Sequence, residues 1–292
     1  MKNRSIAIGA FIVSAFLSHP WPGLAGNEGC EIPFRWHGYM IVAEVSIGRT
    51  NGLKFMIDTA ATGSVIDKKT ARLPGLMPLP GQSQIQVCGR VTKSNRFHIP
   101  RLRIGPVFTA MNCHEADLGA LGVDGIIGLD LLRESNRLVS CETNEALKGG
   151  GFSIDFQTRR LRFGQYQQLE HSIPLEASIP EMIVVVMIQG HALRLAVDTG
   201  AGTLVLYTRP QMAWLESMAT LQSAKFSSIG GMNRGREVLL RNVDLENSRW
   251  SSLSGVLMDL PNQGKDGLLP VTQLRLKILH FDFEHNLMSW KK

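Results

Sequence analysis

Short apolar runs, separated by glycine and other turn residues, follow one another along most of this chain. Two stretches, at 39–66 and 181–206, show the pattern clearly, since each has an apolar run, a glycine turn and a second apolar run. Apolar runs of this length joined by a glycine turn are typical of β-hairpins. The sequence therefore predicts a mainly β protein, with one short helix in each half, at 129–133 and 271–274.

The same order of residues occurs twice along the chain. The first hairpin leads to Asp58 and the second to Asp198, so the aspartates (58 and 198) are 140 residues apart. A later station, Asp-Gly followed by two aliphatic residues, occurs at 124–127 and at 266–269, which are 142 residues apart. Stations that recur in one order at nearly constant spacing indicate a duplicated unit. The duplication predicts an N-terminal lobe at 31–164 and a C-terminal lobe at 172–292, joined by a polar segment.

Two aspartates at equivalent places in duplicated halves suggest acid–base chemistry. Where such halves meet, the carboxylates can face each other and share one proton, because two like charges at close range do not both ionise easily. One carboxylate can then act as a base toward water and the other as an acid toward a carbonyl. Asp58 and Asp198 are the predicted catalytic pair. The residues expected to support their turns are Thr59, Ala60, Thr199 and Gly200.

These motifs resemble those of the aspartic proteases, in which Asp-Thr/Ser-Gly follows an apolar strand and a later aliphatic pair with glycine packs beneath the turn. The resemblance covers nearly all of the chain after position 30, and the compact halves look more like the retroviral-type (retropepsin-like) proteases of bacteria than like pepsin. It implies two pseudo-symmetric pepsin/retropepsin-like closed β lobes with a cleft between them. It also implies hydrolysis of a peptide or protein substrate by an activated water, with no metal and no cofactor.

The resemblance further implies flaps, which are flexible hairpins that cover the cleft. They are expected between each aspartate and the later Asp-Gly station, at 81–97 and 228–238. In the second of these hairpins, Gly230 and Gly231 are the predicted substrate-binding residues, since glycine suits a hairpin that moves over substrate.

Three residues depart from the family pattern. Ala60 stands where glycine is usual, and its methyl group crowds the turn at a higher cost if the backbone needs a conformation reserved for glycine. Pro270 replaces the glycine of the second station, so the C-terminal half is expected to support its turn differently. Leu204 replaces the hydroxyl residue that corresponds to Ser64. The alternative to an active endopeptidase is therefore an inactive module of the same fold that binds peptides or acts in assembly.

The N-terminus has the charged, apolar and small-residue order of a secretory signal peptide, predicted at 1–26. Its apolar run at 6–17 is shorter than the roughly 20 residues of a membrane-spanning helix, although an uncleaved anchor is the alternative. We expect an exported protein, periplasmic or secreted, with no stable membrane span. An even number of cysteines in an exported chain suggests two disulfides, whose pairing stays open, and four reduced thiols are the alternative. The cysteines are Cys30, Cys88, Cys113 and Cys141.

The charges and histidines argue against other functions. The net charge of +6 is scattered, without a basic stripe and interleaved aromatic residues, so nucleic acid is not an expected partner. The histidines do not have metal-ligand spacing such as HExxH, and no Gly-x-Ser-x-Gly motif of a serine hydrolase is present. Because one chain supplies both lobes, a monomer is expected.

Overall fold

The structure is a computed structural model that describes residues 30–87, 90–147, 149–164, 169–176, 181–209, 212–229, 231–260 and 264–292. The predicted signal segment at 1–26, Cys88 and Gly230 lie outside the described residues.

The first half of the described chain consists mainly of strands. They are β1 (Cys30–His37), β2 (Met40–Ile47), β3 (Thr50–Ile57), β4 (Val65–Asp67), β5 (Met77–Val87), β6 (Arg90–Ile104), β7 (Val107–Ala116), β8 (Gly125–Ile127), β9 (Val139–Ser140), β10 (Gly151–Asp155) and β11 (Arg160–Gly164). The helical segments are α1 (Leu129–Leu132) and two 3-10 turns (Thr70–Arg72 and Ser135–Arg137).

The second half has the same character. Its strands are β12 (His171–Pro174), β13 (Ile183–Ile188), β14 (His191–Asp198), β15 (Leu204–Tyr207), β16 (Ala219–Ser228), β17 (Gly231–Leu245), β18 (Ser248–Met258), β19 (Gly267–Pro270), β20 (Ile278–Asp282) and β21 (Leu287–Lys291). A short helix α2 (Ala213–Glu216) and a 3-10 helix (Val271–Leu274) complete it. Helical turns therefore follow both Asp-Gly stations, as the sequence predicted.

Each half forms a closed ring of six described strands in the same order. The first ring is β2–β3–β8–β4–β7–β6, and it closes because β6 pairs with β2. The second ring is β13–β14–β19–β15–β18–β17, closed by pairing of β17 with β13. The outer strands β5 and β16 extend the rings by pairing with β6 and β17. The predicted fold of two pseudo-symmetric closed β lobes is confirmed.

Alternation of side chains explains why these runs form strands with one face in the core. In β13, Val184, Val186 and Ile188 are fully buried, whereas Val185 and Met187 remain about 40% exposed (41% and 39%). Successive residues of a strand point to opposite faces, so every second side chain fills the interior of the ring. Each fully buried aliphatic side chain contributes roughly 1.5–3 kcal/mol to folding.

A further run of paired strands joins the two halves, in the order β12–β21–β20–β10–β11–β1. Strand β10 of the first half pairs with β20 of the second, and this pairing places Phe152 opposite Phe281. The phenyl groups of both residues are fully buried, and their centroids lie 5.0 Å apart. The halves therefore share a continuous apolar layer.

The described cysteines do not support the two predicted disulfides. Cys30, Cys113 and Cys141 are free thiols, and the fourth cysteine, Cys88, lies outside the described residues. Cys113 lies inside the sheet, with Sγ 3.7 Å from the carbonyl oxygen of Phe97, and burial raises the pKa of its thiol to about 12. Such a thiol is protonated and unreactive at neutral pH, because the thiolate is the reactive form.

No helix within the described ranges combines the length and the apolar character needed to cross a membrane.

Candidate active site

The two aspartates of the repeated motif lie at equivalent strand ends. Asp58 directly follows β3, and Asp198 is the last residue of β14. Strand β3 runs parallel to β8, and β14 runs parallel to β19, so each aspartate lies beside the Asp-Gly station of its own half. The N–H of Asp58 donates to the carbonyl oxygen of Ile127 at 3.0 Å, and Asp198 lies opposite Pro270. Both aspartates line one cavity between the halves.

The threonines after the aspartates connect the halves by reciprocal hydrogen bonds. The hydroxyl of Thr59 donates to the carbonyl oxygen of Val197 at 2.7 Å and accepts the N–H of Thr199 at 3.1 Å. The hydroxyl of Thr199 donates to the carbonyl oxygen of Ile57 at 2.7 Å and accepts the N–H of Thr59 at 3.0 Å. Both threonines are fully buried. Unpaired groups here would each cost about 1–3 kcal/mol, so the network fixes the aspartates relative to one another.

Backbone N–H groups hold both carboxylates in their turns. Oδ1 of Asp58 accepts the N–H of Ala60 at 2.9 Å and the N–H of Ala61 at 3.2 Å. Oδ1 of Asp198 accepts the N–H of Gly200 at 2.7 Å. These bonds orient the carboxyl groups toward the cleft and leave a second oxygen on each for other partners.

The alanine at position 60 is compatible with this arrangement. Its N–H makes the hydrogen bond to Asp58 that the turn requires. The non-glycine residues with a positive φ do not include Ala60, so the turn does not need a conformation reserved for glycine. Ala60 therefore does not strain the backbone of the turn.

The electrostatic environment favours a shared proton. Burial is the largest cause that raises the pKa of Asp58, opposed by the N–H groups of its own turn. Burial also raises the pKa of Asp198 well above its ordinary value, and the negative charge of Asp58 raises it further. The positive charge of Lys265 acts in the opposite direction on both carboxyl groups. Asp198 therefore retains the shared proton more readily than Asp58, because the charge of Asp58 raises its pKa in addition to burial.

A cavity of about 620 Å³ opens at the aspartate pair and is lined by both halves. This volume suits several side chains of an extended peptide, since small-molecule sites span about 300–1,000 Å³. Its N-terminal wall is largely apolar, and so is much of its C-terminal wall. Apolar lining residues are Met56, Val65, Ile85 and Leu121 on the first wall and Val205, Tyr207 and Leu268 on the second.

The hairpins predicted as flaps lie at the cavity. The first is formed by β5 and β6, and Gln84, Ile85 and Gln86 of β5 line the cavity. The second is formed by β16 and β17, and Ser228 and Ile229 near its turn line the cavity.

The two glycines chosen as flap residues have different outcomes. Gly231 begins β17 with φ of +129°, a left-handed value that favours glycine, but the neighbouring Ser228 and Ile229 form the cavity wall. Gly230 lies outside the described residues. A substrate-binding role for either glycine stays a prediction.

The polar residues of the cleft that sequence reasoning missed include Tyr39, Glu181 and Lys265. Tyr39 belongs to the first half, yet its ring packs so closely on Gly202 that a methyl group there would lie 2.5 Å from it. Burial, followed by the charge of Asp198, raises the pKa of its phenol. A signal for two of them was present, because Tyr39 and Glu181 occupy the same first position of the repeated hairpin.

Beneath the first aspartate turn, the N-terminal half has a close-packed glycine and a buried serine. A methyl group on Gly128 would lie 2.7 Å from the carbonyl oxygen of Ala61, so only glycine fits there. The hydroxyl of Ser64 accepts the N–H of Gly128 at 3.1 Å and donates to Asp130 at 2.7 Å. Asp130 also accepts the N–H of Ser64 at 3.0 Å. A carboxylate outside the turn thus supports it through Ser64.

The C-terminal half supports its turn with side chains instead, in agreement with the expectation from Pro270. The hydroxyl of Thr272 donates to the carbonyl oxygen of Ala201 at 3.1 Å. The amide of Gln273 donates to the carbonyl oxygen of Gly202 at 3.2 Å. Thr272 is the positional equivalent of Asp130, since Asp130 stands six positions after Asp124 and Thr272 stands six positions after Asp266.

Replacement of Asp130 with alanine is expected to lower the free energy of unfolding by about 1–3 kcal/mol, because it leaves the buried N–H and hydroxyl of Ser64 without their acceptor. Ser64 is fully buried, whereas Asp130 is exposed. Urea unfolding measures the change, and Asp117→Ala, which removes an exposed carboxylate of the same half, is the control. Equal stability of Asp130→Ala and Asp117→Ala would contradict the supporting role of Asp130.

Other titratable groups near the cleft have their own partners. Nδ1 of His114 lies 2.8 Å from the hydroxyl of Ser83, and burial is the largest cause that lowers the pKa of His114. Among the described residues, no group of three or more His, Cys, Asp or Glu side chains is arranged to hold a metal ion.

Comparison with known proteins gives one family and one fold. Residues 43–131, which include Asp58 and the support beneath its turn, match the aspartyl protease family model. A solved structure, the aspartic proteinase from Irpex lacteus, matches with a TM-score of 0.59 and 12% sequence identity, covering 90% of this chain and 97% of that one. A sequence search of curated proteins found no significant match.

The two matches agree with each other. The family match rests on the sequence of the N-terminal half, and the structural match extends the same fold across both halves. The N-terminal lobe therefore resembles the aspartyl protease family in sequence, and the two lobes together have the fold of an aspartic proteinase, in agreement with the resemblance of the Asp-Thr motifs.

Proposed function

We propose that this protein is an aspartic endopeptidase in which Asp58 and Asp198 activate a water molecule against a peptide bond. The observation that carries the proposal is the meeting of two aspartates from opposite lobes in one cleft, with burial raising the pKa of both. A pair of this kind retains one proton at mildly acidic pH, which supplies an acid and a base in the same site.

The environment of each carboxyl group suggests its role. Asp198 carries the shared proton and donates it to the carbonyl oxygen of the substrate. Asp58, held as a carboxylate by two backbone N–H groups, removes a proton from water as the water oxygen attacks the carbonyl carbon. The product of this step is a tetrahedral diol.

Collapse of the diol completes the reaction. The proton on Asp58 passes to the peptide nitrogen, the C–N bond breaks, and Asp198 recovers its proton as the carbonyl re-forms. Each carboxyl group thus returns to its starting state, and neither forms a covalent bond with the substrate.

The shape of the cleft supports a peptide or unfolded protein as substrate. Its walls are mostly apolar, and both hairpins contribute residues to its lining. An extended chain can therefore bury side chains on both sides of the scissile bond, which holds the reacting carbonyl near the pair. We also propose that the protein acts after export, on the basis of the signal-like sequence at 1–26.

An inactive peptide-binding or assembly module is the alternative with the same fold. Its support came from the residues at 60, 204 and 270. The hydrogen bond made by Ala60 and the substitute contacts made by Thr272 and Gln273 remove the arguments for inactivity that rested on positions 60 and 270. The geometry therefore favours hydrolysis.

The test is cleavage of an unfolded protein and of a mixed peptide library by the mature protein, from about pH 3 to about pH 7, where carboxyl pairs titrate. We expect cleavage by the wild type and none above background by an Asp58→Asn/Asp198→Asn double variant with the same circular dichroism spectrum. Cleavage that persists in the double variant would refute the mechanism. Absence of cleavage by the wild type, together with peptide binding, would favour the inactive module.

A further inference from the structure

A buried lysine lies in the cleft beside the aspartate pair. Lys265 is only 7% exposed, lines the cavity together with Asp58 and Asp198, and forms an ion pair with Glu181. A lysine is almost never buried to this degree without a partner, since loss of hydration of an ammonium group is costly. The position therefore has to be explained by what the ammonium group faces.

The backbone around Lys265 is held in place. Arg209 donates a hydrogen bond to the carbonyl oxygen of Lys265 and forms an ion pair with Asp266 at 2.9 Å. Asp266 in turn accepts the N–H of Arg194 at 2.8 Å. The lysine thus projects from a fixed segment immediately before β19, the strand that pairs with the one ending at Asp198.

The lysine and its partner are present in one lobe only. The spacing of 142 residues between the Asp-Gly stations places Val123 at the position that corresponds to Lys265, and Val123 is an apolar residue with 5% exposure. Tyr39 stands at the position that corresponds to Glu181. The ion pair is therefore a feature added to the C-terminal side of a symmetric site.

The charged and titratable groups that face the aspartate pair are few among the described residues. From the second half they are Lys265, with Glu181 beside it, and Tyr207, and from the first half Tyr39 and His114. The phenol of Tyr39 is neutral at acidic pH, as any tyrosine is, and its raised pKa keeps it neutral at higher pH as well. Burial disfavours the charged form of His114. Lys265 is consequently the main fixed positive charge at the pair.

We propose that Lys265 is a positioning residue for the reaction, which stabilises the singly ionised aspartate pair and so extends hydrolysis to lower pH, while Glu181 holds its ammonium group in place. This inference rests on the proposed function. The direction follows from Coulomb interaction, because a nearby positive charge favours the ionised form of a carboxyl group. In agreement with this geometry, Lys265 lowers the pKa of both Asp58 and Asp198.

The first measurement is the pH profile of kcat/KM for a cleaved peptide. Lys265→Met, similar in shape but uncharged, is expected to move the acid limb to higher pH. Glu181→Gln removes the competing negative charge and is expected to move the limb to lower pH or leave it in place. The double variant is expected to lie between the wild type and Lys265→Met, and Lys265→Arg, which keeps the charge, to restore the wild-type profile.

A matched control distinguishes the effect of losing a charge in the cleft from the effect of losing an ion pair elsewhere on the surface. Arg249→Met breaks an exposed pair with Asp244 at the β17–β18 hairpin, so the acid limb should not move. A role of Lys265 in folding alone would lower the fraction of active protein without moving the limb. An unmoved acid limb in folded Lys265→Met would overturn the inference.

A second measurement does not depend on activity. Asp58 and Asp198 have raised pKa values in the folded protein, so the stability they contribute is present at low pH and is lost as pH rises through those values. Lys265→Met raises them further, and this loss should grow. The comparison is made between Glu181→Gln and Lys265→Met/Glu181→Gln, so that Glu181 does not contribute, using the pH dependence of the unfolding free energy.

The same comparison in an Asp58→Asn/Asp198→Asn background should show no pH-dependent difference. If the wild type cleaves no substrate but this difference appears only when the aspartates are present, the proposed function fails and the electrostatic role of Lys265 stands. If cleavage occurs and the difference is absent, the role of Lys265 fails and the proposed function stands.

Discussion

Replacement of Asp198 with asparagine is expected to abolish peptide hydrolysis and to stabilise the folded protein at neutral pH. Asparagine does not donate a proton to the carbonyl oxygen as a carboxylic acid does, and general acid–base catalysis contributes about 10²–10⁴-fold. The water would also lose half of the pair that orients it. We expect kcat to fall by at least about 10³-fold, measured with a peptide that the wild type cleaves.

The stability change has the opposite sign because Asp198 is 5% exposed and shares the cleft with another carboxylate. Its pKa is raised in the folded state, so its ionisation costs stability as pH rises through that value. Asparagine has no such ionisation. The melting temperature of Asp198→Asn should therefore exceed that of the wild type near pH 7, and the difference should shrink toward pH 3.

Asp117→Asn is the matched control, because this exposed aspartate has a side chain that is 61% accessible. It should leave both kcat and the pH dependence of melting near the wild-type values. Hydrolysis retained by Asp198→Asn, or a melting temperature that falls at neutral pH, would show that Asp198 does not share a proton in the cleft.

The duplicated pattern predicted two equivalent halves made of strands, and the resemblance to the aspartic proteases implied that each half closes into a β lobe. Each repeated hairpin ends at an aspartate, and each Asp-Gly station forms the strand that pairs with it, so equal spacing in sequence becomes equal topology in the two rings. The hairpins were predictable because they are local features that the order of apolar runs encodes. The parallel partner strand is distant in sequence, and it was located because its Asp-Gly station recurs at the same place in each half. The same order also located the helical turns after both stations.

The polar residues of the cleft were not predictable in the same way. Tyr39 reaches Gly202 across the junction, and Glu181 reaches Lys265 from a position 84 residues earlier. Such contacts depend on how the lobes are placed, and no short motif marks them. The replacement of the glycine at 270 was visible in the sequence, but the side chains that compensate for it, Thr272 and Gln273, became evident only from their bonds to the turn.

At position 60, the sequence overestimated the effect of a departure from the family pattern. Glycine is the usual residue there, and the sequence alone suggested that the methyl group of Ala60 crowds the first turn. In the structure, the motif position that has no room for a methyl group is Gly200 in the second motif. A methyl group on Gly200 would lie 2.9 Å from Cγ and 3.0 Å from Oδ2 of Asp58, whereas Ala60 keeps its hydrogen bond to the same side chain.

Replacement of Gly200 with alanine is accordingly expected to reduce kcat/KM by about 100-fold, since displacement of a reacting group by about 1 Å has effects of this size. Asp58 cannot give way easily, because the N–H groups of Ala60 and Ala61 hold its carboxylate. The forced shift should also lower the free energy of unfolding by about 1–3 kcal/mol, as for other overpacked sites.

Ala60→Gly is the matched substitution in the other lobe, and its expected effect is small. The N–H that donates to Asp58 remains, and the backbone needs no change because φ of Ala60 is not positive. Glycine makes the unfolded chain more flexible, so the substitution should lower the free energy of unfolding by about 0.4–1 kcal/mol. Kinetics with one peptide and urea unfolding of both variants test the pair. A fully active Gly200→Ala variant, or an Ala60→Gly variant with activity raised by an order of magnitude, would show that the first motif is the impaired one.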